Sequence, residues 1–289
     1  MSDWVLGVIG GSGVYEIEGL TEASWRRFES PFGEPSDALL IGRLGGAKLV
    51  FLPRHGRGHR LPPTAVNARA NIDVLKRAGC TDILSLSAVG SLRESLSPGD
   101  FVIIDQFIDR TFAREKSFFG PGLAAHVSMA APVCPRLSRL AGAAARAAGA
   151  RVVEGGCYLA MEGPQFSTRA ESALYQSWNC DVIGMTNMPE AKLAREAELP
   201  YASVAMVTDY DCWHEDFGHV EVSRILEVLG ANAGKARNLV SHLAGALPAK
   251  REASPIDTCL DGAIITAPSA RDRAMVARLS AVAGRALNL

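Results

Sequence analysis

The segment Tyr201-Ala202-Ser203-Val204-Ala205-Met206-Val207 carries no charge and runs directly into Thr208-Asp209-Tyr210-Asp211-Cys212-Trp213. It reads as a buried strand, and a strand's period of two aims Asp209 and Asp211 at the same face, where a strand end commonly meets a pocket. Two carboxylates in a partly dry site repel each other, so one can hold a proton near neutral pH and donate it. The same pair could instead cap a following helix or end the strand in solvent.

Similar runs recur along the chain. Trp4 to Ile9, Leu49 to Leu52, Asp82 to Leu86, Phe101 to Asp105 and Asp181 to Met185 have strand character. Helical spacing marks Thr64 to Ala78, Leu137 to Ala148, Pro189 to Ala197 and Val222 to Leu243, with a last Ala-rich helix from Ser269 onward. This alternation predicts an α/β fold, a single layered domain in which a central twisted mixed sheet is flanked by helices and sites lie at strand ends. No linker-like stretch divides residues 1–289, so one domain is expected, with a helical C-terminal extension from about residue 256. Residues Arg110 to Pro135 are long for a plain connection and read as a functional loop; Ala246 to Pro255 reads as a mobile turn.

Thirty basic against thirty-one acidic residues leave a net charge of −1, so nothing pulls the chain toward nucleic acid or membrane, and a small-molecule partner is expected. Six cysteines are scattered without a CxxC or Cys/His cluster, which predicts neither a metal site nor a disulfide framework. The start has no basic leader, and no apolar stretch is long enough to span a membrane, so the expected location is cytoplasmic.

Gly10-Gly11-Ser12-Gly13 follows the first strand but lacks the third glycine of a dinucleotide fingerprint, because Glu16 stands there. A bare turn is one reading; an anion site built on the Ser12 hydroxyl and neighbouring amides is the other. Arg54-His55-Gly56 resembles a phosphohistidine motif, yet it lies about fifty residues too late and continues as Arg57-Gly58-His59-Arg60. At a strand end, guanidinium beside imidazole suits a phosphate dianion, although a solvated basic loop would look the same. Ser87 and Thr186 also follow apolar runs, and with Ser12, Arg54 and His55 they suggest a phosphate cage drawn from four separate loops. Beside such a cage, a protonated carboxyl would serve a purine leaving group at N7, and a second carboxylate would accept from a 6-amino group.

Seven ordered segments carry a broader likeness: Gly10–Gly13, Pro53–His59, Gly90–Glu94, Pro98–Asp100, Asp105–Thr111, Glu162–Glu171 and Thr208–Trp213. Together they resemble the methylthioadenosine-cleaving branch of the trimeric purine nucleoside phosphorylase family, over nearly the whole chain and least after Leu247. The resemblance implies a pentosyltransferase that splits methylthioadenosine with phosphate, in purine and methionine salvage. It implies no metal or organic cofactor and a homotrimer, with pairing of trimers left open. Phosphate would meet Ser12, Arg54, His55, Ser87, the Ala88 backbone and Thr186. Met185 would face the ribose, Phe166 the base, and Asp209, Tyr210 and Asp211 would complete the purine site, with Asp209 and Asp211 catalytic. Ser167 and Val222 would set specificity, and His126 would reach the sugar's 5′ end in a neighbouring subunit. Gly184 stands where many relatives have Asn. The other readings are a 6-oxopurine phosphorylase, a nucleosidase using water, and a non-catalytic nucleoside-binding protein.

Overall fold

Every second residue of the long apolar strands belongs to a different core, and this alternation sets the layers. The computed structural model describes residues 4–11, 13–214 and 222–289, excluding the side chains of 222–226. Its strands are β1 (Val5–Gly10), β2 (Thr21–Arg26), β3 (Leu39–Leu44), β4 (Ala47–Pro53), β5 (Asp82–Ser91), β6 (Phe101–Ile104), β7 (Gln106–Asp109), β8 (Val152–Glu154), β9 (Cys157–Ala160), β10 (Val182–Gly184) and β11 (Tyr201–Asp209). The helices are α1 (Ala68–Arg77), α2 (Pro135–Ala147), α3 (Arg169–Ser177), α4 (Glu190–Glu196), α5 (Val222–Ala246), α6 (Arg273–Arg278) and α7 (Ser280–Leu287). Ala202, Val204 and Met206 of β11 join Leu49 and Phe51 of β4 in a core with Leu137 and Ala141 of α2 and Leu239 and Val240 of α5. Tyr201, Ala205 and Val207 face the other way, with Val50 and Leu52, onto Ile72 and Leu75 of α1 and Leu193 of α4. A sheet buried on both faces needs such unbroken apolar runs, which is why they are legible in the sequence.

The mixed sheet has the order β2-β3-β4-β1-β5-β10-β9-β7, with β11, β6 and β8 branching from β5. The branch shapes the site. Strand β1 runs parallel to β5 and covers it through the pair Ile9–Ser85. On the opposite edge β11 follows β5 from Ile83 to Gly90. Strand β10 joins antiparallel at Gly90 and Ser91, and because β11 also pairs with Gly90, β10 must share β1's edge. Between the end of β1 and the start of β10, residues 86–89 of β5 therefore have no strand beside them on that edge, and a crevice opens there. Ser87 to Ser91, expected to be a loop after the strand, are its second half.

The C-terminal segment completes a layer. Leu260, Leu279, Val282, Ala283 and Leu287 lie in the same core as α1, and α7 packs on α1. Arg285 donates to Glu198 at 2.8 and 2.5 Å. The helix expected from Ser269 is broken at Leu279, which ends α6 and precedes α7. Among the described residues no helix is long and apolar enough to cross a membrane.

Candidate active site

The crevice beside β5 widens into a cavity of about 310 Å³, a volume suited to a small organic ligand. Arg54, His55, Ser87, Ala88, Phe166, Met185, Thr186, Asp209 and Asp211 line it, so nine of the expected site residues converge on one space. Gly11 lines it as well, while Ser12 lies outside the described residues.

Two groups at its wall bear on anion binding. The Ser87 hydroxyl is buried and has no partner at hydrogen-bond geometry among the described residues, only the Tyr158 phenol in its neighbourhood, an expensive state unless a ligand answers it. His55 donates from Nδ1 to the Leu61 carbonyl at 2.9 Å, since a carbonyl can only accept. Burial, then the Arg54 charge, pushes the imidazole down to about 4, so at neutral pH it is uncharged and Nε2 is left as an acceptor. His59 stacks on it with ring centroids 4.3 Å apart and also lines the cavity.

Arg54 is less available than its motif suggests. Nε and Nη2 grip the buried Glu190 carboxylate at 2.5 and 3.1 Å, Nη1 donates to the Leu86 carbonyl at 2.8 Å, and Nη2 to Ser85 at 2.6 Å. Four of five N–H groups are thereby engaged, leaving one on Nη1. Glu190 also accepts from Tyr201, and its carboxylate is held low despite burial because Arg54 faces it. The guanidinium is thus built into the wall as half of an ion pair, and the anion end is closer to neutral than two basic residues imply.

The carboxylates meet by a route other than strand periodicity. The β11–β5 register slips between Val207 and Asp209, a bulge of the kind that re-aims side chains beside sites. Asp211 then opens a 3-10 turn, Asp211–Trp213, with φ of 51°. Its amide donates to Asp209 Oδ1 at 2.8 Å, and Trp213 Nε1 ties the turn to the Ser91 carbonyl at 2.7 Å. Ser172 of α3 donates to Asp211 Oδ2 at 2.8 Å. Burial raises both carboxyls above the ordinary range, and for Asp211 the neighbouring Asp209 adds to the effect. The Thr208 hydroxyl lies 3.1 Å from the Val89 carbonyl and 2.7 Å from Asp209 Oδ2. Its one proton can go to only one of these two acceptors at a time, and when it goes to Asp209 it partly offsets the effect of burial on that carboxyl.

Other expected residues are placed differently. Tyr210 is buried beneath the turn, its hydroxyl donating to Ser97 at 3.2 Å and its ring packed against Trp213 and His214, so it does not line the cavity. Ser167 is buried next to the carboxylate turn, where its carbonyl accepts from Cys212 Sγ at 3.2 Å. Phe166 is 50 % exposed at the rim, free to cover a ligand. His126 is exposed, with its amide donating to Ala263, and lies outside this cavity. Val222 begins α5, but its side chain lies outside the described residues. From that helix, Leu229 and Ala233, one turn apart, form with Val14 an apolar stretch of wall that sequence reading did not single out.

The long loop expected to be functional contributes Arg114. Glu162 accepts from Arg114 Nε, Thr64 Oγ1 and the amides of Phe112 and Ala113 at 2.7–2.9 Å. Burial would raise this carboxyl, but those hydrogen bonds override it and hold it at about 2. Arg114 Nη1 in turn donates to the Met185 and Met188 carbonyls at 2.8 and 2.9 Å, fixing the segment that carries Thr186. Among the described residues no group of three or more His, Cys, Asp or Glu is placed to hold a metal ion.

Known proteins resemble this chain along most of their length. Residues 5–244 match the model of the phosphorylase superfamily. The S-methyl-5′-thioadenosine phosphorylase of Cereibacter sphaeroides is 62 % identical over 285 residues, covering 98 % of each chain. That of Rhodospirillum rubrum is 61 % identical, covering 98 % of this chain and 97 % of its own. Among solved structures, a methylthioadenosine phosphorylase from an antarctic soil metagenomic library superposes with a TM-score of 0.92 at 44 % identity, over 98 % of this chain and 99 % of that one. The Schistosoma mansoni methylthioadenosine phosphorylase in complex with adenine gives 0.85 at 37 % identity, over 90 % and 99 %.

Proposed function

The chain belongs to the phosphorylase superfamily, and from that premise we propose that it cleaves S-methyl-5′-thioadenosine with inorganic phosphate to adenine and 5-methylthioribose 1-phosphate. The observation that carries this reading is the meeting, in one cavity, of an unanswered buried hydroxyl at Ser87 with a carboxyl pair at Asp209 and Asp211. An anion site alone would suit many ligands. An acid beside it suits a leaving group that must gain a proton.

Phosphate would sit against Ser87, Ala88, Thr186, the remaining Nη1 hydrogen of Arg54 and, by resemblance, Ser12. Neutral His55 would accept through Nε2 the O–H of a phosphate that still carries one proton. Phosphate oxygen attacks C1′ as the glycosidic bond loosens, and the phosphate charge stabilises the cationic ribosyl state, with Met185 against the sugar. Asp209 gives its proton to purine N7, a step worth about 10²- to 10⁴-fold. The proton that phosphate loses on becoming an ester balances the one adenine gains. Asp211, held by Ser172, accepts from the 6-amino group, and Phe166 covers the base. Ser167 and Val222 would tune specificity, alongside the apolar wall from Val14, Leu229 and Ala233, which suits a thioether.

In a homotrimer the exposed His126 would close a neighbour's site. No metal or organic cofactor enters this chemistry, and the cytoplasm suits the thiols of a chain whose six cysteines are unbridged.

The reading is tested by following adenine release from methylthioadenosine with and without phosphate. Release that saturates with phosphate is expected, with the sugar recovered as its 1-phosphate. Equal release in phosphate-free buffer would establish a nucleosidase instead, and faster turnover of the 6-oxo analogue would move the assignment to a 6-oxopurine phosphorylase.

A further inference from the structure

Gly184 and Thr186 line the cavity, and directly behind them lies Tyr158 of β9, fully buried and paired through its strand with β10. The phenol is not part of the cavity lining, yet it governs two residues that are. A Cβ built on Gly184 would overlap the Tyr158 hydroxyl oxygen and stand 2.8 Å from Cζ, so the ring occupies the space a side chain at 184 would need. The hydroxyl oxygen lies 3.3 Å from the Thr186 amide, from which it accepts, and 3.1 Å from Thr186 Oγ1.

We propose that Tyr158 is a positioning residue for phosphate: it donates its proton to Thr186 Oγ1, so that the threonine's own proton is left to point into the cavity. The hydrogen count supports this direction. Tyr158 oxygen already accepts the Thr186 amide, and of the two hydroxyls near its single proton, Thr186 Oγ1 and Ser87 Oγ, it is Thr186 Oγ1 that lies at hydrogen-bond geometry, 3.1 Å away. Once that oxygen accepts from Tyr158, the Thr186 proton must seek another acceptor, and the open side is the cavity that Ser87 also faces. Burial keeps the phenol protonated and unable to trade this role away. Glycine at 184 is then a condition of the device, since any larger residue would push the ring off Thr186. The inference rests on the phosphorolytic reading above and adds to it a residue that no ligand touches.

Tyr158→Phe removes the hydroxyl while keeping the ring. It is expected to raise the KM for phosphate about three- to tenfold, the range that one lost hydrogen bond commands, while the KM for methylthioadenosine moves less than about twofold. In a Thr186→Val background the same change should have no further effect on phosphate, because the hydroxyl it serves is gone. Gly184→Ala, which keeps Tyr158 but displaces it, should reproduce the phosphate-selective rise and covers the case in which Tyr158→Phe does not fold. Phosphate-dependent wild-type turnover with an unmoved phosphate KM in these variants, or an equal rise in both KM values, would overturn the role of Tyr158. Wild-type turnover indifferent to phosphate would instead retire the parent reading.

Discussion

Asp209 is the residue on which the chemistry turns, and its surroundings define what replacing it should do. Burial raises its carboxyl, against the smaller opposing effect of hydrogen bonds from the Thr208 hydroxyl and the Asp211 amide. Activity is therefore expected to fall on the alkaline side, as pH rises through the elevated pKa and the donor is lost. Asp209→Asn keeps the shape and the contact with Thr208 but has no proton to give up, so kcat on methylthioadenosine should drop by about 10²-fold or more, and the alkaline limb should flatten. Asp211→Asn, at the residue that faces position 6, should instead favour the 6-oxo analogue, whose oxygen can accept from an amide N–H. An Asp209→Asn variant with full turnover and an unchanged pH profile would remove Asp209 from the role. Arg54 shows the limit of residue-level reading: its motif announces a phosphate ligand, but Glu190, lying 136 positions away, takes most of the guanidinium. Nothing in Met188-Pro189-Glu190 distinguishes that glutamate from a solvent-facing helix start.

Helix α4 is tied to the Arg110–Pro135 loop through the buried carboxyl of Glu196. Glu196 accepts from the Ser117 hydroxyl at 2.7 Å and the Phe118 amide at 2.6 Å, and burial, opposed by those two bonds, pushes it up to about 7. Its folded pKa lies above its unfolded value near 4.5, so the native state holds the proton more tightly. Stability from this group is greatest below about pH 4.5 and declines as pH rises to about 7, where the charge is buried at full cost. Glu196→Gln is neutral throughout and can keep both contacts, since the Ser117 hydroxyl can turn to accept. Its stability relative to wild type should climb across pH 4.5 to 7 and level off above, reaching a gain of about 2–3 kcal/mol. Denaturant titrations of both proteins at pH 5 and 8 measure this, and parallel pH dependences would refute it. Sequence reading recognised the Arg110–Pro135 loop by its length, but it could not see that the loop is anchored by Glu162 and Glu196 from two other segments. The exposed β2 and the three- to four-residue β7, β8 and β9 carry little periodic signal and were not legible in the sequence; β3, six residues and mostly buried, was not singled out either.

The tail read as an extension closes the largest of the molecule's buried apolar clusters, the one that includes α1. Leu279 has no exposed surface and packs within the core that includes α1. Leu279→Ala should therefore lower unfolding stability by about 2–5 kcal/mol, the range for a buried leucine, while leaving the KM values for phosphate and nucleoside unchanged. A loss under about 1 kcal/mol would mark the tail as an appendage after all. The division between what could be read and what had to be seen has a physical basis. Uncharged runs as short as Tyr201–Val207, alternating with longer helical spacings, favour buried strands, so the α/β layering was legible in the sequence. Residue types matched to proton and anion chemistry at strand ends made His55, Ser87, Thr186, Asp209 and Asp211 legible as one site. The tertiary structure alone decided how that site is held: the Arg54–Glu190 pair, Arg114 gripping the Met185–Met188 carbonyls, Leu229 and Ala233 on the wall, and Tyr158 behind Gly184. Each of these is a contact between segments far apart in sequence, made by side chains ordinary in their local setting, and only the folded chain brings them within bonding distance.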